Sequence, residues 1–139
     1  DTATAQEAAQ AMIDQGADVI GHCANESGTG AINAAAAAGV YATGDSYDQS
    51  SLASQTILTS AVYNVPQLIK AAIEDVLNDE FEGTVKELGM AEGIVELVYN
   101  PDMESAIPED VRQLLDDTEA SIKSGEFTVP CDTSDRTAN

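Results

Sequence analysis

The most constraining feature of this chain is a regular exchange between two hydrophobic periods, helical and extended, separated by short turns. Thr4 and Glu7 form a capping-box pair ahead of good helix formers at residues 5–15, and Gly16 supplies the stop. Residues 17–23 read as a short buried strand, residues 25–30 as a turn, and residues 31–38 as a small-residue helix ending at Gly39. Residues 40–44 are again strand-like, residues 45–51 are a polar loop, and residues 56–63 are rich in β-branched residues and form a third strand. Asn64 then caps a helix, with Gln67 in the reciprocal position and Pro66 in the first turn. Along it Val65, Leu68, Ile69, Ala72, Ile73 and Val76 recur at helical spacing and predict a face packed on a sheet. Residues 84–88 and 94–99 are two further strand candidates. A last helix opens after Ile107-Pro108, turns Val111, Leu114, Leu115 and Ile122 inward, and stops at Gly125.

Alternation of this kind, with short connections, requires crossovers, and crossovers join parallel strands. The expected fold class is therefore α/β, a layered and mostly parallel sheet with helices on both faces. At 139 residues and 43% hydrophobic content the chain has the size and core of one domain. It opens on a helix that would ordinarily cross over from a preceding strand, and on Asp1 in place of Met, which points to a mature or excised piece of a longer parent. Any export signal or lipid anchor would then lie upstream, since no apolar run here approaches the roughly 20 residues that span a bilayer.

Charge narrows the function. With 25 acidic residues against 5 basic ones, the net charge is -20, and the acids are spread along the chain rather than gathered in one tail. A nucleic-acid binder needs a basic footprint, so that class is excluded. A diffuse acidic surface suits concentrated salt, where a short Debye length screens the repulsion, and we read the composition as halophilic. Cys23 and Cys131 match no zinc or CxxC spacing. Cys23 is expected as a buried strand thiol and Cys131 as part of a polar tail, the alternative being a disulfide that ties the tail down.

Ligands of an open parallel sheet bind beyond the carboxyl ends of its strands. Here these segments are residues 22–30, residues 45–51, and Tyr63-Asn64, which supply His22, Asn25, Glu26, Gly28, Ser46, Asp48 and Tyr63 as candidate binding residues. The loop at residues 25–30 runs into a helix N-terminus whose free N–H groups could donate to ligand oxygens. It is neither a GxGxxG nor a P-loop, and no motif implies a cofactor. Asp45 and Asp48 lack the order of an EF-hand. Lys70, Lys86, Arg112, Lys123 and Arg136 are the only basic residues, and none falls in a strand-end segment. The mouth offers hydroxyls, amides, acids and a tyrosine, a set suited to a neutral polyol-like or nucleoside-like ligand. An enzymatic reading would join His22, the one histidine, to Ser46 and Asp45 or Asp48, and Gly44-Asp45-Ser46 resembles the start of a GDS esterase motif. The histidine such enzymes place near the end has no counterpart after His22, so the chain reads as a binder and not an enzyme.

The series Gly16-Ala-Asp-Val-Ile, Gly28-Thr-Gly30, Gly39-Val-Tyr-Ala, Asp48-Gln49, Leu58-Thr-Ser60-Ala-Val, Ile107-Pro-Glu-Asp-Val, Ser124-Gly-Glu and Val129-Pro130 resembles the basic membrane lipoprotein family. These are substrate-binding proteins of ABC importers with the type I periplasmic-binding fold. The resemblance implies that residues 1–130 are most of a C-terminal lobe whose first strand and companion lobe are absent here, with residues 131–139 a polar tail. It further implies an extracellular protein that captures a nucleoside-like ligand for ABC transporter membrane subunits and meets the membrane only through an upstream lipid anchor. In nucleoside-binding members a carboxylate grips the ribose and a lysine lies near the site; these positions fall on Ser46 and Tyr63, where stacking by Tyr63 could replace the lysine. The same fold also serves as the sensor domain of transcription regulators, the alternative from another class.

Overall fold

The structure is a computed structural model that describes residues 1–130. Its elements are α1 (Thr2–Asp14), β1 (Val19–Gly21), α2 (Gly28–Ala38), β2 (Tyr41–Ser46), β3 (Ile57–Tyr63), α3 (Val65–Leu77), β4 (Val95–Tyr99) and α4 (Glu109–Ser124). The four strands form one sheet in the order β1-β2-β3-β4. β1–β2 and β2–β3 pair parallel, whereas β3–β4 pairs antiparallel. The α/β class is as expected, and the sheet is mixed, with its antiparallel strand at one edge.

The local signals were partly right about boundaries. The side chain of Asn64 accepts a hydrogen bond from the Gln67 N–H, as the capping pattern requires. Gly39 and Gly125 end their helices with φ of 71° and 77°, the left-handed conformation that costs glycine least. The first helix departs from expectation: Asp1 is its N-cap, accepting from the Ala3 N–H at 2.9 Å, so Thr4 and Glu7 lie inside the helix. Asp1 thus caps the helix three residues before Thr4 would, its Oδ1 satisfying a first-turn N–H.

The core lies where α1, α2 and the first three strands meet. Ala9, Ile20, Ala31, Ile32, Ala34, Ala35, Ala42 and Ile57 form one buried cluster, with Ile13, Ala17, Val40 and Ala53 packed against it. Small residues make this possible: a Cβ at Gly30 would collide with the Thr2 carbonyl oxygen, so the two helix backbones nearly touch. Burying a side chain such as Ile32 is worth roughly 1.5–3 kcal/mol.

The second half is built differently. No residue of α3 or α4 is buried. The α3 stripe expected to cover the sheet is open, with Ile69 at 55%, Ile73 at 53% and Val76 at 59% exposure, and Leu114 of α4 is also exposed. α4 is held to β4 by polar contacts: the Tyr99 hydroxyl donates to Asp116 Oδ1 at 3.1 Å, and the Arg112 guanidinium lies over the Tyr99 ring. Desolvation, followed by the hydrogen bond to Asp116, raises the Tyr99 hydroxyl above its ordinary pKa. The anticipated strand at residues 84–88 is absent; that segment is irregular, and β4 alone occupies the outer edge of β3. Asn100, just past β4, fastens this edge: it is 1% exposed and donates to the carbonyls of Ser54 and Ile57.

Candidate functional site

Because β1, β2 and β3 run parallel and adjacent, their carboxyl ends share one edge of the sheet. His22 follows β1, Ser46 ends β2, and Tyr63 ends β3. The register places Gly21 opposite Thr43 and Ser46 opposite Val62, so the three candidate positions form a row.

Asn25 and Glu26 are exposed in the 3₁₀ turn Asn25–Ser27, and Gly28 is buried as the first residue of α2. A Cβ at Gly28 would fall within the His22 ring, so glycine at this position is what lets the imidazole lie against the start of α2. Asn25 and Ser46 both adopt positive φ, at 47° and 71°. Such conformations cost of order 1 kcal/mol or more in residues with a Cβ and concentrate at ligand sites. Tyr63, the last residue of β3, is 47% exposed. Asp48 is exposed; it accepts from the Ser50 N–H at 3.0 Å and from the Ser50 hydroxyl at 2.6 Å, and these bonds hold its carboxyl below the usual carboxylate range. Both bonds fall on Oδ1 and brace the loop that carries it.

At the centre lies a residue that the sequence pattern assigned to a polar loop. Gln49 is 1% exposed. Its Oε1 lies 2.9 Å from His22 Nε2 and accepts from the Asp45 N–H at 3.1 Å, while its own N–H donates to Ser60 Oγ at 3.1 Å. One side chain thus ties the ends of β1 and β2, and its backbone ties β3. Gly44 leaves the room for this, since a Cβ there would meet Ser60 Oγ and crowd Gln49 Cβ at 3.0 Å. The only sequence signal for Gln49 was the Asp48-Gln49 pair within the family-like series.

The hydrolytic arrangement does not form. The Ser46 hydroxyl donates to Asp45 Oδ2 at 2.8 Å, and His22 Nε2 is engaged with Gln49, so imidazole and hydroxyl are not linked. Cys23, expected as a buried strand thiol, is exposed beyond the end of β1 because that strand stops at Gly21. Cys131 and the tail at residues 131–139 lie outside the described residues. Among the described residues no group of three or more His, Cys, Asp or Glu side chains could hold a metal ion.

Comparison with known proteins gives this edge a context. A family model described as "ABC transporter substrate-binding protein PnrA-like" matches residues 1–133. The chain is 34% identical over 134 residues to Basic membrane protein A2 of Borrelia garinii subsp. bavariensis, covering 94% of this chain and 39% of that protein. It is 35% identical over 127 residues to a Purine-binding protein of Brucella abortus, covering 89% of this chain and 35% of that one. Among solved structures, an ABC transporter solute-binding protein from Aeropyrum pernix K1 superposes with a TM-score of 0.76 at 26% identity, over 96% of this chain and 46% of that one. A structure described as a transcriptional activator of the comK gene from Bacillus halodurans superposes with a TM-score of 0.80 at 25% identity, over 93% of this chain and 45% of that one. The chain therefore spans between a third and a half of the length of these proteins. A family match over almost the whole chain, two relatives above 30% identity and the shared fold lead to one conclusion: the chain belongs to the PnrA-like family of ABC transporter substrate-binding proteins.

Proposed function

We propose that this chain is the C-terminal lobe of an extracellular solute-binding protein that captures a nucleoside or a similar neutral polar solute for an ABC-type importer. The observation that carries the reading is the single sheet edge on which His22, Ser46 and Tyr63 stand in a row, in strand-end segments that contain no lysine or arginine. A charged phosphate or carboxylate would find no counter-ion in these segments, whereas hydroxyl and base donors would find acceptors and an exposed tyrosine. Asn25, Glu26, Gly28 and Asp48 complete the proposed lining, with Tyr63 stacking on a flat base. The name of the purine-binding relative supports a nucleoside-like ligand. Coverage of under half of each relative supports a second lobe closing on the same edge. The partners are the importer's membrane subunits, and attachment to the membrane is through a lipid anchor outside this sequence; among the described residues no helix is long and apolar enough to cross a bilayer.

A two-lobed clamp draws contacts from both sides, so the full-length parent should bind a neutral nucleoside far more tightly than this chain alone. Tyr63→Ala and Ser46→Ala should each cost on the order of 1 kcal/mol, or several-fold in affinity. Calorimetric titration of parent and chain against nucleosides, nucleotides and carboxylated analogues measures this. Tight binding by the chain alone, or preference for the charged ligands, would refute the reading.

A ligand-sensing role in a regulator is the second reading, favoured by the structural likeness to the comK activator. A DNA-binding segment in the parent would select it, and an export signal would select transport.

A further inference from the structure

We propose that Gln49 is the positioning residue of the strand-end site, holding the Nε2–H of His22 and the Asp45 N–H on one oxygen and thereby orienting the imidazole and the Asp45-Ser46 turn for a ligand that Gln49 itself does not touch. This rests on the strand-end site proposed above, and it deepens that site by naming what holds it in shape. The orientation of the Gln49 amide is decided by a neighbour that cannot change. The Asp45 backbone N–H is a donor in every state, and it lies 3.1 Å from Gln49 Oε1. Turning the amide over would set its NH₂ against that N–H, donor against donor, inside a residue that is 1% exposed. The oxygen is thus held in place, and the same oxygen is the atom 2.9 Å from His22 Nε2. Two acceptors cannot share that contact, so Nε2 carries the hydrogen.

The other ring nitrogen agrees. His22 Nδ1 is buried and has no hydrogen-bond partner, and the ring lies so close to Gly28 that a Cβ there would overlap it. A hydrogen on Nδ1 would be a buried donor with nothing to receive it, a costlier arrangement than a bare lone pair. From the far side, the Gln49 N–H on Ser60 Oγ anchors the whole assembly to β3, and Gly44 leaves space for the approach. Ser46, with its φ of 71° and its hydroxyl given to Asp45, follows directly from the residue whose N–H Gln49 holds. Gln49 therefore acts through His22 and Asp45.

The chain has one histidine, so its imidazole is read without ambiguity by long-range ¹H–¹⁵N correlation on the labelled protein. The wild-type chain, with no ligand present, should show a single tautomer with the hydrogen on Nε2. Gln49→Met, which keeps the volume and removes the acceptor, should shift the Nε2 resonance, loosen the ring and speed exchange of the Asp45 amide, while the unpartnered Nδ1 still disfavours a hydrogen there. Gln49→Glu, which keeps an oxygen facing Nε2, should retain the hydrogen there. In the full-length parent, Gln49→Met should weaken nucleoside binding by about five- to tenfold, the equivalent of one lost hydrogen-bonded contact. A wild-type hydrogen on Nδ1, a wild-type mixture, or an Nε2 resonance and Asp45 amide exchange both unchanged in Gln49→Met would overturn the proposal. If Gln49→Met does not fold, Gln49→Glu decides, because loss of the Nε2 hydrogen in that variant overturns it equally. The spectra need no ligand, so a parent that binds no nucleoside would sink the functional reading and leave the tautomer result standing.

Discussion

α2 and α3 are both apolar-faced helices that follow a strand of the same sheet, and they end in opposite environments. α2 is a run of alanines and glycines with Ile32 at its centre, and six of its residues are buried. α3 carries the larger and better spaced apolar side chains, and none of its residues is buried. The difference lies in the neighbour. α1 lies so near α2 that Gly30 has no room for a Cβ, and this contact, together with β1 and β2, encloses the small side chains of α2. Among the described residues nothing comparable covers α3. Periodicity states which face of a helix would gain from burial; burial itself needs a second surface at van der Waals distance.

The strongest test of this contrast is truncation on the two sides. Ile32→Ala removes a side chain that is 1% exposed and should destabilise the chain by about 2–5 kcal/mol, through lost transfer energy and the cavity left behind. Urea unfolding followed by circular dichroism measures it, and a loss below about 1 kcal/mol would show that the α1–α2 layer is looser than described. Salt should separate the two halves less sharply. Most of the acids lie after residue 64, so reducing ionic strength from 1 M to 0.1 M, which lengthens the screening distance from about 3 Å to about 10 Å, should loosen α3 and α4 first. Amide hydrogen exchange would show protection falling there before it falls in α2, together with a lower melting temperature. A melting temperature indifferent to salt would count against halophilic adaptation. Smallest of all, Ile73→Ala should change the stability of this chain by no more than about 0.5 kcal/mol, because the residue is already 53% exposed. A loss comparable to that of Ile32→Ala would mean that the α3 face is covered in solution.

The candidate site divides in the same way. His22, Ser46 and Tyr63 could be named from the rule that parallel strands present their carboxyl ends together, and the pairing places them on one edge. Gln49 could not be named as the centre, since its partners His22 and Ser60 lie 27 and 11 residues away. Nothing in residues 45–51 distinguishes a glutamine turned inward from one turned to water. Asp48, picked as a lining residue, is tied to Ser50 by two short-range bonds that a sequence of Asp, Gln and Ser only permits.

What the sequence determined by itself was local: the Asn64 cap, the left-handed stops at Gly39 and Gly125, the alternation that makes the domain α/β, and the lack of basic residues at the strand ends. These depend on the conformational preferences and charges of residues within a few positions of one another. Only the tertiary structure decided that β4 runs antiparallel while residues 84–88 form no strand, that α2 and not α3 is enclosed, and that Gln49 joins three strands. A strand is stabilised by ladder bonds to a neighbour, and a buried polar side chain by partners brought from far along the chain. Neither neighbour nor partner is written into the segment that needs it.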